Sequence, residues 1–236
     1  MKSAKRLPLS IKVTYTAFVA VLVPYYWHAY GPTNFLYFCD VALLLTLVGV
    51  WRESPLLISM PAIGITLPQA LWQIDFLGMI AGLPVTGMTG YMFDPKLTLF
   101  TRGLSFFHFW LPFLLIWLIA RLGYDRRAFK AWTVLAWCLV LICFFIMPAP
   151  PAPPDNPHLP VNINYVHGFS HHKPQEWMPP WAYLGAMMVI LPMCIYWPTH
   201  LLLNKFFRDQ TPEFSPKTGS TDEIREISLA ESDGIR

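Results

Sequence analysis

Leu104 to Lys130 reads LSFFHFWLPFLLIWLIARLGYDRRAFK. Its first part, Leu104–Ala120, is seventeen residues without a charge, and its single ionisable side chain is His108. At 1.5 Å per residue such a run crosses most of a hydrocarbon core roughly 30 Å thick. Arg121, Arg126, Arg127 and Lys130 follow within ten residues. Basic clusters beside a span stay in the cytoplasm. The inner end of this helix is thereby pinned, and His108 falls near its outer end.

The remaining chain agrees with a membrane class. Hydrophobic residues make up 55% and charged residues 13% of 236, the latter about half the share usual in soluble proteins. Residues 1–208 hold fourteen Lys/Arg against seven Asp/Glu, whereas residues 209–236 hold three against seven. The basic excess therefore follows topology and gives no case for a nucleic-acid partner. Cys39, Cys138, Cys143 and Cys194 all lie inside apolar runs, which predicts buried free thiols rather than a disulfide framework. The first apolar run lacks a small-residue cleavage site and should remain as a span.

Taken in order, the chain predicts an all-α polytopic transmembrane helix bundle of six spans in residues 1–208. The spans are 13–29, 35–51, 55–72, 104–120, 131–147 and 181–203, with Pro61 and Pro68 bending the third. Lys2, Lys5, Arg6 and Lys12 place the N-terminus in the cytoplasm. Residues 148–180 contain ten prolines and should form an extended outer loop. Residues 209–236 lack hydrophobic periodicity and read as a disordered, acidic cytoplasmic tail. The location that follows is multi-pass in a bacterial inner membrane, with both termini cytoplasmic.

Residues 76–93, FLGMIAGLPVTGMTGYMF, are long enough to cross yet contain four glycines and a proline. The basic residues decide between the two topologies. Without a crossing here, Lys/Arg before the tail divide eleven inside to three outside; with one, every later segment flips and the division is eight to six. The positive-inside bias selects a non-crossing Gly-rich segment.

That topology gathers ionisable residues at the outer face. Cys39 and Asp40 enter span 2 near its outer end, and His108 lies at matching depth in span 4. Asp75 and Gln73 end span 3, and the outer loop adds Asn162, Asn164, His167, His171 and His172. Polar groups inside a membrane face the bundle interior and a partner, so these residues predict a shared polar cavity. Asp40 and His108 are candidates for a buried pair, structural or functional. Asn162, Asn164 and Asp75 are candidates for substrate binding, and Arg102 could pair with Asp75 or Asp40. His167, His171 and His172 have metal-ligand spacing but no acidic or thiol companion, so solvated loop histidines are the default and no metal or other cofactor is expected. The chain lacks P-loop, GxGxxG, CxxC, HExxH and G-x-S-x-G motifs.

Several stretches carry a resemblance: GPTNFLYFCDVALL (31–44), LPQALWQIDFL (67–77), GYMFD (90–94), LSFFHFWLP (104–112), LGYDRRA (122–128), NINYVHG (162–168), PQEWMPP (174–180) and PTHLLL (198–203). Together they resemble a family of bacterial multi-span proteins labelled only "membrane-associated protein", a label that carries no activity. More distantly the chain resembles the YwaF-type integral membrane family, which includes the eukaryotic transmembrane protein 164. Members show a cysteine in the second helical stretch, a histidine in a later span and an Asn-x-Asn-Tyr-like motif before the last span. The matching positions are Cys39, His108 and Asn162-Ile163-Asn164-Tyr165. This resemblance implies a phospholipid acyltransferase, with Cys39 as nucleophile, His108 as base and Asp40 or Asn164 orienting the imidazole or substrate. The residues themselves leave two readings open. One is a membrane-lipid acyltransferase or hydrolase; the other, which needs fewer assumptions, is a non-catalytic protein whose outer cavity binds a small-molecule or lipid ligand. Membrane lipids are partners in either case.

Overall fold

The computed structural model describes residues 7–156 and 159–207. The expected tail at 209–236 lies outside them. The described residues are all-helical, without a strand. The helices are α1 (Leu9–Tyr30), α2 (Phe38–Arg52), α3 (Pro55–Ile80), α4 (Leu99–Ser105), α5 (Phe107–Leu122), α6 (Ala128–Ile146), α7 (Pro180–Ile190) and α8 (Trp197–Phe207). A single π-helical turn, Leu191–Tyr196, joins α7 to α8.

Local chemistry sets the boundaries. Gly31 ends α1 at φ +81° and Gly123 ends α5 at φ +95°, backbone values at which a Cβ would clash. Ser54 caps α3 by accepting from the Leu57 N–H at 3.4 Å, and Pro55 occupies the first helical position, where no amide donor is needed. Lys12 Nζ lies 2.6 Å from Glu53 Oε1, tying the start of α1 to the α2–α3 turn.

Helix α3 is central. Some 56% of its apolar stretch is buried, against 22% for α1 and for the 180–207 run. It packs on α2, α5 and α6. Ile58, Ala62 and Ile63 of α3 meet Ala42, Leu43 and Val50 of α2, Leu111, Leu115, Leu118 and Ile119 of α5, and Trp132 and Ala136 of α6 in one core. Large apolar side chains such as Val21, Phe113, Val134 and Val189 point outward, which suits a hydrocarbon surround and not water. Among the described residues, five stretches are long and apolar enough to cross a membrane: Leu9–Tyr30, Pro55–Ile80, Leu99–Leu122, Ala128–Ile146 and Pro180–Phe207.

Three expectations need revision. Helix α3 continues eight residues past Trp72 to Ile80, because Asp75 is buried by partners described below and does not end the apolar stretch. The fourth apolar run starts at Leu99, five residues early, since Thr98 caps it through the Thr101 N–H. The four thiols are free as expected, but only Cys143 is buried; Cys138 and Cys194 are exposed on the outward faces of their helices.

Candidate functional site

The site forms around the start of α2. A 3-10 turn, Pro32–Leu36, leads into Tyr37, whose side chain supplies no cap. The cap comes from far along the chain. Asn164 Oδ1 accepts from the Phe38 N–H at 2.9 Å, and its Nδ2 donates to Leu36 O at 2.9 Å. The same Nδ2 points at Cys143 Sγ, 3.5 Å away. The amide thus acts as a peptide group in trans, filling a donor that the helix start leaves open.

Asn164 holds φ +57° and Asn162 φ +51°, left-handed values that asparagine tolerates better than most residues. Asn162 is fully buried. Its Nδ2 donates to Gly168 O (2.7 Å) and Ser170 O (2.9 Å), and its Oδ1 accepts from the His167 N–H (2.8 Å). Ile163 and Val166 between and beside them pack on Val140, Cys143 and Leu184. This part of the 148–180 loop is therefore folded core, with a 3-10 turn at Ile163–Tyr165, where its prolines predicted an extended loop.

Asp75 is also fully occupied. Its Oδ1 accepts from the backbone N–H groups of Val85, Thr86 and Gly87, and its Oδ2 from the N–H and hydroxyl of Thr89. The carboxylate clamps the turn after α3. All three expected substrate-binding side chains, Asn162, Asn164 and Asp75, are thus scaffold. Arg102 donates to Asp94 O at 2.6 Å and Leu97 O at 3.1 Å and pairs with neither expected carboxylate.

Other buried side chains have polar atoms without a partner, Asp40 and Gln69 among them. Asp40 is 3% exposed; Asn34 Nδ2 donates to its Oδ2 at 3.2 Å, while its Oδ1 has no partner. Gln69 is also 3% exposed, and neither amide atom has a partner. α2 and α3 form an antiparallel hairpin in which Gly49 faces Ile58. Nine residues back along α2 from that contact, Asp40 lies about half a turn around the helix from the face that meets α3, whereas Gln69 lies on the α3 face that meets α2.

His108 sits one turn further along the α3–α5 seam, its ring 5.5 Å from that of Trp72. Its Nδ1 is 2.7 Å from Ser105 O. A carbonyl can only accept, so Nδ1 carries the proton and Nε2 of the neutral ring is a bare acceptor. Trp72 Nε1–H donates to the Tyr91 hydroxyl at 3.2 Å. Burial pushes the Tyr91 phenol up, and negative charge at Cys39, Tyr165 or Asp40 acts in the same direction. Through that bond Tyr91 is tied to the His108–Trp72 stack.

The expected catalytic residues Cys39, His108 and Asp40 are not wired together. Among the described residues no ion pair links Asp40 to His108 and no hydrogen bond links Cys39 to His108; Asn34 and Ser105 O hold those partners. His167 stacks on Phe144 at 5.2 Å, and His171 and His172 are exposed. Among the described residues no three His, Cys, Asp or Glu side chains gather where a metal ion could be held. Gln69 and Tyr91 escaped the sequence reading. An amide between Pro68 and Trp72 in an apolar helix was the available signal for Gln69; nothing local marks Tyr91.

No known protein family, curated protein or solved structure matches the chain.

Proposed function

We propose that this chain is a six-crossing protein of a bacterial inner membrane, whose outer-half polar site binds a small polar ligand or lipid head group without thiol chemistry. The site comprises Asp40, Gln69, His108 and Tyr91. One observation carries the reading: three polar atoms of two side chains, each 3% exposed, have no partner. Leaving a buried polar atom unpaired costs about 1–3 kcal/mol. A bound ligand would offset that cost.

Six crossings have support beyond charge. The carboxylate of Asp75 binds residues 85–89, so the chain turns back beside the end of α3 that it has just left. Residues 81–98 contain only one 3-10 turn, Gly90–Phe93. α2 is short, about 22 Å over fifteen residues, and the turn Pro32–Leu36 adds roughly 10 Å. With that topology residue 127 is cytoplasmic and residue 155 outside. Single cysteines at Arg127→Cys and Asp155→Cys, in a background without native thiols, test this with an impermeant thiol reagent on intact cells. Only the second should label, and labelling at 127 from outside would rule six crossings out.

A second reading is favoured by the His108 tautomer, since a bare Nε2 is what a general base requires. Thiol acyl transfer would pass through an acylated Cys39, because covalent catalysis divides the reaction into two steps. A lipid-like acylating probe separates the readings. We expect no adduct on Cys39 in wild type. An adduct that disappears in Cys39→Ala and weakens roughly a hundredfold in His108→Ala, while Cys194→Ala labels normally, would establish the acyltransferase instead.

A further inference from the structure

Residues 76–93 carry no charged side chain, and residues 81–88 are all exposed. Leu83 is 72% and Val85 58% exposed, and Met88 is open beside them. A loop in water leaves many of its amides to the solvent. Here each one is answered within the chain. The N–H groups of Ala81, Gly82 and Leu83 donate to Leu77 O, Met79 O and Gly78 O, and that of Gly90 to Gly87 O. Those of Val85, Thr86, Gly87 and Thr89 converge on the Asp75 carboxylate. The Met88 N–H reaches Thr86 Oγ1 at 3.3 Å, and Pro84 has no N–H to satisfy. From 81 to 90 no amide donor is left open.

That pattern is what a lipid surround demands. Hydrocarbon offers no partner to a backbone N–H, so irregular backbone beside lipid is stable only where its donors are satisfied internally. The threonines turn the same way: Thr89 is buried with its hydroxyl on Asp75, and the Thr86 oxygen takes an amide. What faces outward is apolar, and it extends an existing surface. Ile74, Leu77 and Ile80 form an exposed stripe at three-residue spacing on the last turns of α3. The Leu83 N–H, held at 2.8 Å by Gly78 O, seats the loop at the end of that stripe. The carbonyls of Leu83 and Val85 accept no hydrogen bond among the described residues. Open acceptors suit the head-group layer, which water reaches, and not the hydrocarbon core.

We infer that residues 81–90 form a membrane-inserted loop whose partner is the bilayer itself. Leu83, Val85 and Met88 pack among lipids at the boundary of head groups and acyl chains, a depth of roughly 5–10 Å. Asp75 gathers the backbone donors on the protein side. That the leaflet is the outer one rests on the six-crossing reading.

The test is the collisional accessibility of a nitroxide on single cysteines. The full-length protein, without native thiols, is reconstituted in vesicles of phosphatidylethanolamine and phosphatidylglycerol. Leu83→Cys and Val85→Cys are read against Phe113→Cys, exposed on α5, and Asp155→Cys, exposed in the 148–180 loop. Oxygen concentrates in lipid and a nickel chelate in water. At 83 and 85 oxygen collisions should exceed nickel collisions, as at 113 and unlike 155. Adding Asp75→Ala to Val85→Cys should reverse the ratio, because four freed N–H groups draw the loop out to water. Nickel collisions prevailing at 83 and 85 with Asp75 intact would overturn the insertion. Few collisions with either reagent would overturn it too, by showing this face covered by a second copy or another protein. A ratio at 85 unchanged by Asp75→Ala would refute the part given to the carboxylate. External labelling of Arg127→Cys would overturn the leaflet and leave these ratios alone, so the two readings fail separately.

Discussion

Asp75→Ala should lower stability by about 3 kcal/mol and the thermal midpoint by roughly 6–12 °C. The side chain is fully buried and accepts from four backbone N–H groups and one hydroxyl. Hydrogen bonds to a charged acceptor contribute about 1.5–3 kcal/mol each, but here they do not add. Val85, Thr86 and Gly87 are exposed, so water replaces part of what they lose. Thr89 is fully buried, and its N–H and hydroxyl are the donors that nothing replaces. Asp75→Asn keeps one acceptor oxygen and should fall between wild type and Asp75→Ala. Backbone hydrogen exchange gives the local readout: residues 81–98 should exchange faster while α5 and α6 stay protected. A midpoint within a degree of wild type, with unchanged exchange at 81–98, would show that the turn holds itself.

Gly64→Ala should be as costly, about 3 kcal/mol, although alanine is the better helix former by roughly 1 kcal/mol. A Cβ at position 64 would overlap the Trp132 indole at Cε2, Cζ2 and Nε1. Trp132 is fully buried against Phe38 and Tyr196, so the ring cannot move aside and α3 must shift away from α6. Gly185 is the control, a helical glycine with open space where its Cβ would stand. Gly185→Ala should be neutral or slightly stabilising. If both alanine variants unfold at the wild-type midpoint, the close approach of α3 and α6 at Gly64 is wrong.

These two residues show how local and distant information divide in this protein. The apolar runs, their lengths and the basic residues flanking them are properties of contiguous stretches. The hydrocarbon thickness and the cost of moving Lys or Arg across it act on those stretches one at a time. All-helical structure was therefore legible along the chain, and five of the six expected spans are, among the described residues, helices of crossing length with boundaries shifted by a few residues. The expected span at 35–51 is a helix of only 15 residues. The positions of Cys39, Asp40 and His108 near the ends of their helices were legible for the same reason.

The roles of the polar side chains were not legible, because a role depends on which donors and acceptors folding brings near. Asp75 meets partners 10 to 14 residues away, which a reading by helix position takes for a free carboxylate at a cavity mouth. Asn164 caps a helix 126 residues earlier, and its left-handed backbone is set by that contact. Gln69 looks like one polar residue in an apolar helix, and only the packing of α3 shows it buried without a partner. Composition and charge govern transfer into the membrane, which is close to additive over residues and so readable in order. Hydrogen-bond satisfaction is pairwise and directional, so the chain had to fold before Asp75 and the two asparagines became scaffold and Asp40 and Gln69 were left open.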